Sequence, residues 1–302
     1  MPNSTEVNWD ASVWKEINDA VMTEVGKVRV AQKVFPATVF DNDPTEVPND
    51  VIDFSTLTIQ EGRTKPFVEI FQEFSLTSTQ VTKEPQIKTA KTLARMAAKA
   101  IALAEDTVVF QGKNGKLPGN VKTAPDTLDN DGLLGEADSS TASDTDTTKV
   151  SVKIPVPQTG RPGVLYGENL FSAVAKGIVK LTANKSQAPK YALFLPVSAY
   201  ADTFVPPGNE SLVTTAERIR PLVEGGFYGT GTLPEDKGLL VALGGDPTTL
   251  YIGREATTDF VRKEGSKYFF RVVERVTFVA RDPRAFVLLD LQSAATAAKI
   301  KS

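Results

Sequence analysis

Neither cysteine nor histidine occurs anywhere in the 302 residues. The first absence removes disulfides, thiolate nucleophiles and sulfur-ligated zinc together. The second removes the one side chain whose unperturbed pKa lies near neutrality, and with it the usual general base and the commonest metal ligand. Serine–histidine–acid triads, helix-borne zinc motifs and imidazole shuttles are excluded, leaving carboxylate or lysine chemistry. No run of about 18 apolar residues exists, so no membrane-spanning helix is expected. Residues 1–10 are polar and lack the basic-then-apolar order of a secretory signal, which points to a cytoplasm. With a formal net charge of −3 there is no general polyanion-binding surplus. Hydrophobic residues at 41% against 24% charged supply a globular core, and the length allows about two domains.

Helical spacing of Trp14, Ile17, Val21 and Val25 predicts a first helix over 9–25, capped by Asn8 or Asp10 and ended by Gly26. An extended segment over 28–35 follows, then a loop rich in Asp, Asn and Pro over 41–49. Two β-patterned runs, 51–60 and 65–77, flank Glu61-Gly62-Arg63-Thr64 and predict one long hairpin with its turn there. Val68, Ile70, Gln72, Phe74 and Leu76 share a face of the second run. A two-stranded ribbon is marginal alone in water, so it is expected to lie on its own body or on a neighbour. The strongest helical pattern runs over 85–111, with Pro85 in its first turn and Ile87, Ala90, Ala94, Ala97, Ile101, Ala104 and Val108 on one side. Lys88, Lys91, Arg95 and Lys99 form a basic stripe on another side.

Residues 113–149 break pattern at Gly115, Pro118, Gly119 and Pro125 and read as an exposed, mobile insertion. Between 150 and 249 short strands and helices alternate. Helices are expected near 170–184 and 198–204, with a further segment over 214–221, and buried strands over 191–196 and 238–243. Gly225, Gly226, Gly229 and Gly231 predict a flexible loop around Phe227 and Tyr228. Tyr268, Phe270, Val272, Val276 and Phe278 alternate with Arg271 and Arg275. Asp282-Pro283-Arg284 then turns the chain into a last apolar strand over 285–291 and an Ala-rich tail. The class is α+β.

The chemical motifs are thin. Gly112, Gly115 and Gly119 lack dinucleotide-fingerprint spacing. Asp129-Asn130-Asp131-Gly132 hints at calcium, but an EF-type register would put Asp138 where a glutamate belongs, and an Asp-Gly turn is the better reading. Glu105-Asp106 could be an acid/base pair; an ion pair with an arginine such as Arg254 or Arg275 is preferred. The basic stripe could face nucleic acid or simply be solvated.

Local stretches carry a resemblance. Trp14-Lys15-Glu16-Ile17-Asn18, Ala104-Glu105-Asp106-Thr107-Val108-Val109-Phe110-Gln111-Gly112, Tyr191-Ala192-Leu193-Phe194-Leu195 with Tyr200, Tyr251-Ile252-Gly253-Arg254 and Asp282-Pro283-Arg284-Ala285-Phe286 resemble patches of the Hong Kong 97-type shell proteins. These are the tailed-phage major capsid proteins and the encapsulin compartments. The resemblance implies an N-terminal helix and arm (1–50), an extended β-hairpin loop (51–78), and a peripheral domain with spine helix and insertion (79–163). An axial domain (164–245) and return strands with a tail (246–302) complete it. It also implies an inter-subunit loop carrying Glu61, Gly62, Arg63, Phe67, Ile70, Phe71 and Phe74. A pore rim at Gly225, Gly226, Phe227, Tyr228 and Gly229 is implied, and an inner-face stripe at Lys88, Lys91, Arg95 and Lys99. The expected function is that of a major capsid protein assembling as a homo-oligomer, pentamers and hexamers in an icosahedral shell around double-stranded DNA. Scaffolding, portal and decoration proteins are the expected partners, with any scaffold a separate protein. The expected location is the virion capsid, assembled in the bacterial host cytoplasm. An encapsulin shell packaging a cargo enzyme is the alternative, and a carboxylate enzyme centred on Glu105 and Asp106 is the third reading. No cofactor, metal or catalytic residue is expected.

Overall fold

The structure is a computed structural model and describes residues 7–53, 56–138, 150–154, 166–184, 186, 188–206 and 213–292. The chain divides into two compact units. The first comprises Met1–Val109, Gly115–Asn130 and Thr249–Val279; the second comprises Phe110–Asn114, Asp131–Thr248 and Ala280–Ser302.

Helix α1 (Ala11–Val28) opens the first unit and buries Ile17, Val21 and Val25, the expected stripe. It runs through Gly26 and ends only at Arg29, followed by a 3-10 turn over Ala31–Lys33 rather than an extended segment. Short strands β1 (Ala37–Val39), β2 (Glu46–Pro48), β3 (Val51–Asp53), β4 (Thr58–Gln60) and β5 (Thr64–Pro66) come next. They lead into β6 (Val68–Thr77), α2 (Ser78–Ile87) and α3 (Thr89–Gln111). Strand β7 (Lys122–Ala124) and the long pair β12 (Thr248–Glu264) and β13 (Lys267–Ala280) complete a five-stranded sheet of order β1-β12-β13-β6-β7.

The expected hairpin of 51–60 against 65–77 is corrected. Strand β6 pairs antiparallel with β13, from Lys267↔Thr77 to Val276↔Val68. Its apolar face is the one read from the alternation, and Val68, Ile70 and Leu76 are buried in this unit's core. The pleat was legible; the partner, far along the chain, was not. The true hairpin is shorter and nested, with β2 on β5 and β3 on β4. Between Pro48↔Thr64 and Val51↔Gln60, two residues on the outgoing strand face three on the return. That is a bulge, and Gly62, at φ +98°, supplies the backbone conformation it needs. Gly62 therefore bends the arm rather than turning its tip.

The continuous helix over 85–111 is also corrected. Thr77 caps α2 through a reciprocal capping box with Gln80. Pro85 lies inside α2, not in a first turn, and the helix ends at Lys88 in the left-handed conformation. Proline has no N–H for the carbonyl four residues back; that carbonyl, on Val81, accepts instead from Trp9 Nε1 at 2.8 Å. The buried Glu84 carboxylate then caps α3, accepting from Ala90 N at 2.7 Å and Lys91 N at 3.0 Å. One residue stretch thus closes one helix and starts the next.

The second unit holds α4 (Gly132–Ala137), β8 (Val150–Ile154), α5 (Glu168–Ala183), β9 (Tyr191–Pro196) and α6 (Val197–Asp202). It continues with α7 (Thr215–Ile219), β10 (Gly226–Thr230), β11 (Lys237–Ala242) and β14 (Phe286–Leu291). Its sheet has order β10-β9-β11-β14-β8. Strand β14 pairs with β11, so the final strand completes this sheet rather than the return strands of the first unit. Leu170, Ala173, Val174 and Leu181 of α5 lie in one core with Leu193, Leu195, Leu240 and Val287 of the sheet. Residues 113–138 are not a loose insertion: β7 pairs with β6, and Leu133, Leu134 and Ala137 of α4 are buried. Residues 139–149 lie outside the described residues. Among the described residues no helix is long and apolar enough to cross a membrane.

Candidate functional site

Four places bear on function: the arm, the basic stripe, the glycine-rich segment and the carboxylate pair. The arm is anchored at its base. Val47 and Phe67 are buried with Val279, against Phe40 and Tyr251. Arg275 donates to Pro44 O at 2.9 Å and pairs with Asp43. Farther out the support thins: Leu57 is 81% exposed and Ile59 60%. Of the residues expected to touch a neighbour, Ile70 is fully buried, Phe74 stacks on Phe270 at 5.6 Å, and Phe67 lies in the arm's base. Phe71 lies beneath the Arg271 guanidinium. Phe67 and Ile70 are thus buried inside their own chain, whereas Phe71 and Phe74 are half-buried. Glu61, Gly62 and Arg63 remain on the arm, at its bulge.

The basic stripe does not stand free. Lys88 and Lys91 both pair with Glu16, the latter at 3.0 Å, and Arg95 pairs with Glu24 at 3.1 Å. Lys99 adds its field to Glu24. The lysines hold the Glu16 carboxyl below its ordinary range, and Arg95 does the same for Glu24. The stripe is an ionic seam to α1, and a nucleic-acid face is not needed to explain it.

The glycine-rich segment is not a flexible loop but the edge strand β10, parallel to β9 from Gly226↔Ala192 to Thr230↔Pro196. Gly229 answers to packing, since a Cβ there would lie 2.5 Å from Tyr200 ring carbons, whereas Gly231 has open space around it. Tyr228 stacks on Phe194 at 6.0 Å, and Phe227 meets Tyr200 at 4.9 Å.

The carboxylates Glu105 and Asp106 are fully buried in the first unit. Their cation is Arg29, not Arg254, which pairs with Asp259, nor Arg275. Arg29 Nε lies 3.0 Å from Glu105 and Arg29 Nη2 2.8 Å from Glu274, which is also fully buried. Gln32 Nε2 donates to Glu105 Oε1 at 2.9 Å. Asp106 accepts from Val30 N at 2.8 Å and Ala31 N at 2.9 Å, capping the 3-10 turn. Burial, reinforced by the neighbouring Glu105, pushes the Asp106 carboxyl up to about 7. Burial likewise raises Glu105, and raises Glu274 well above its ordinary value. Arg29 and Glu274 escaped the reading of the sequence, although a signal existed. Glu274 falls on the apolar face of its strand, between Val272 and Val276.

In the second unit a small cavity of about 190 Å³ is lined by Gln111, Asn114, Asp131, Leu134, Lys237 and Leu288, among others. It falls below the roughly 300–1,000 Å³ of ordinary ligand sites. Asp131, of the calcium-like run, pairs with Lys113 at 2.9 Å. Among the described residues no carboxylate group is arranged to hold a metal ion.

With this geometry in hand, solved structures give a consistent answer. A virus-like particle from Pyrococcus furiosus matches 92% of this chain and 99% of its own, at 15% identity and a TM-score of 0.63. The chain has the Hong Kong 97-type fold. The capsid of Myoviridae phage XM1 matches the same fold over 88% of this chain and 92% of its own, at 13% identity and a TM-score of 0.58. The holo-SrpI encapsulin complex from Synechococcus elongatus matches 86% of each chain, at 10% identity and a TM-score of 0.55. By sequence, the family described as "Encapsulating protein for peroxidase" matches residues 153–277. No curated protein matches the chain. Phage capsids and encapsulins thus share one Hong Kong 97-type architecture with this protein.

Proposed function

We propose that the chain is a structural shell subunit, many copies of which close into an icosahedral capsid of pentamers and hexamers around double-stranded DNA. The observation that carries the shell reading is the fold, matched over nearly the whole length of a virus-like-particle subunit. The arm supports it. A two-stranded ribbon with Leu57 and Ile59 exposed is marginal by itself, and a neighbouring copy would cover those side chains. In such a shell β10, an edge strand presenting Phe227 and Tyr228, is the candidate contact around a symmetry axis. The role is structural rather than catalytic, because Glu105 and Asp106 are sealed and engaged with Arg29, Gln32 and backbone amides. Portal, scaffolding and decoration proteins would be partners of the assembled shell.

A second reading, a compartment around a cargo enzyme, is favoured by the family match over 153–277. The contents decide between the two. Particles purified from the native source are treated with nuclease, then opened and analysed. Protected double-stranded DNA inside shells containing hexamers supports the capsid. Shells of sixty subunits holding an enzyme and no DNA would overturn it in favour of the compartment.

A further inference from the structure

The buried cluster around Arg29 contains one cation and three carboxyls, Glu105, Asp106 and Glu274. It is drawn from every element packed there. The segment after α1 contributes Arg29, Gln32 and the Val30 and Ala31 amides, α3 contributes Glu105 and Asp106, and β13 contributes Glu274. Strand β12 adds the field of the exposed Glu255, while β6 presents the apolar Ile70 opposite Glu274. Each glutamate has one oxygen occupied: Glu105 Oε1 accepts from Gln32, and Glu274 Oε1 accepts from Arg29. Of the other oxygens, Glu105 Oε2 lies 3.0 Å from Arg29 Nε but out of line for a hydrogen bond, and Glu274 Oε2 accepts no hydrogen bond. One guanidinium thus holds both fully buried carboxyls, Glu105 on Nε and Glu274 on Nη2. Two ionised carboxylates are acceptors only and repel, so together in a dry interior they call for a proton.

We propose that Glu105 and Glu274 share one buried proton, and that this proton latches the segment Arg29–Gln32 onto α3 and β13. The inference does not rest on the shell reading. While the proton is present, Arg29 is held by both glutamates and the cluster carries a single excess negative charge. Once it leaves, three carboxylates surround one guanidinium without water, an arrangement that costs too much to persist in a dry interior. The 3-10 turn is the cheapest part to open, because α3 and β13 are held by their own ladders. The latch is therefore closed at neutral pH and opens in alkali.

Two measurements on the full chain test this. At about pH 8.5 Asp106 is mostly ionised, so a surviving protonated-carboxyl stretch in the infrared reports the glutamate pair. The native chain should show that band, and the Glu274→Gln variant, whose amide supplies the bridging N–H permanently, should lack it. Amide exchange then reads the latch. Protection at residues 29–32 should fall about tenfold or more on going to still higher pH in the native chain, and by clearly less in Glu274→Gln. No band in the native chain, an equal band in the variant, or equal loss of protection in both would overturn the proposal. Should Glu274→Gln fail to fold, Glu105→Gln replaces the same proton from the other side. If neither folds, the presence or absence of the native band decides.

Discussion

The Trp9–Val81–Pro85 contact yields a quantitative expectation. The Val81 carbonyl has no helical donor because residue 85 is proline, and its partner is Trp9 Nε1 at 2.8 Å. Trp9→Phe keeps an aromatic face against Phe270, on which Trp9 stacks at 5.1 Å, but removes the donor. Leaving a partly buried carbonyl unpaired costs about 1–3 kcal/mol, whereas a hydrogen bond exchanged for another contributes only about 1. Pro85→Ala restores an N–H aimed at Val81, so the same Trp9→Phe change should then cost less. The double-mutant cycle should show a coupling of about 1–2 kcal/mol. Denaturant unfolding of the four proteins, followed by far-ultraviolet circular dichroism at one protein concentration, measures it without relying on tryptophan emission. Additivity within about 0.5 kcal/mol would refute the reasoning, since it would mean that Val81 does not depend on Trp9.

Three further expectations follow from the same geometry. Glu84→Ala removes a buried carboxylate that accepts two amides at the start of α3, and should destabilise by about 2–3 kcal/mol in the same assay. Gly229→Ala forces a Cβ onto the Tyr200 ring and should cost about 1–3 kcal/mol; in a Tyr200→Ala background the added cost should largely vanish. Asp106 is raised to about 7 in the folded chain from an ordinary 3.8, so the folded state binds its proton more tightly than the unfolded one. That contribution to stability is complete below about pH 4 and is lost as pH rises through about 7. The thermal midpoint should therefore fall between about pH 5 and about pH 8; a midpoint rising over that window would contradict the assignment.

Much of the fold was legible because it is periodic. The α1 stripe, the apolar face of β6 and the buried β9 followed from spacing alone. What misled was punctuation. Gly26 has open space around it and continues the helix; α1 ends at Arg29, whose guanidinium turns inward to two glutamates. Pro85 reads as a helix start only while Trp9, distant in sequence, is out of view. Gly62 reads as a hairpin turn unless β6 is known to belong to β13. The stripe of lysines looked free for the same reason, since Glu16 and Glu24 meet it only after α1 docks. For the buried cluster, Glu105 and Asp106 stood out, but choosing their arginine required the fold. Local chemistry was readable, and long-range pairing was not.

The shell reading stands or falls on assembly driven by the arm. Electron microscopy of the full chain and of a chain lacking 46–66, both expressed alone, tests it most directly. The account predicts closed shells, or tubes and oversized shells awaiting a scaffold, from the full chain. The deletion should give folded subunits without closed particles. Monodisperse monomers from the full chain under all salt and pH conditions, or normal shells from the deletion, would contradict it.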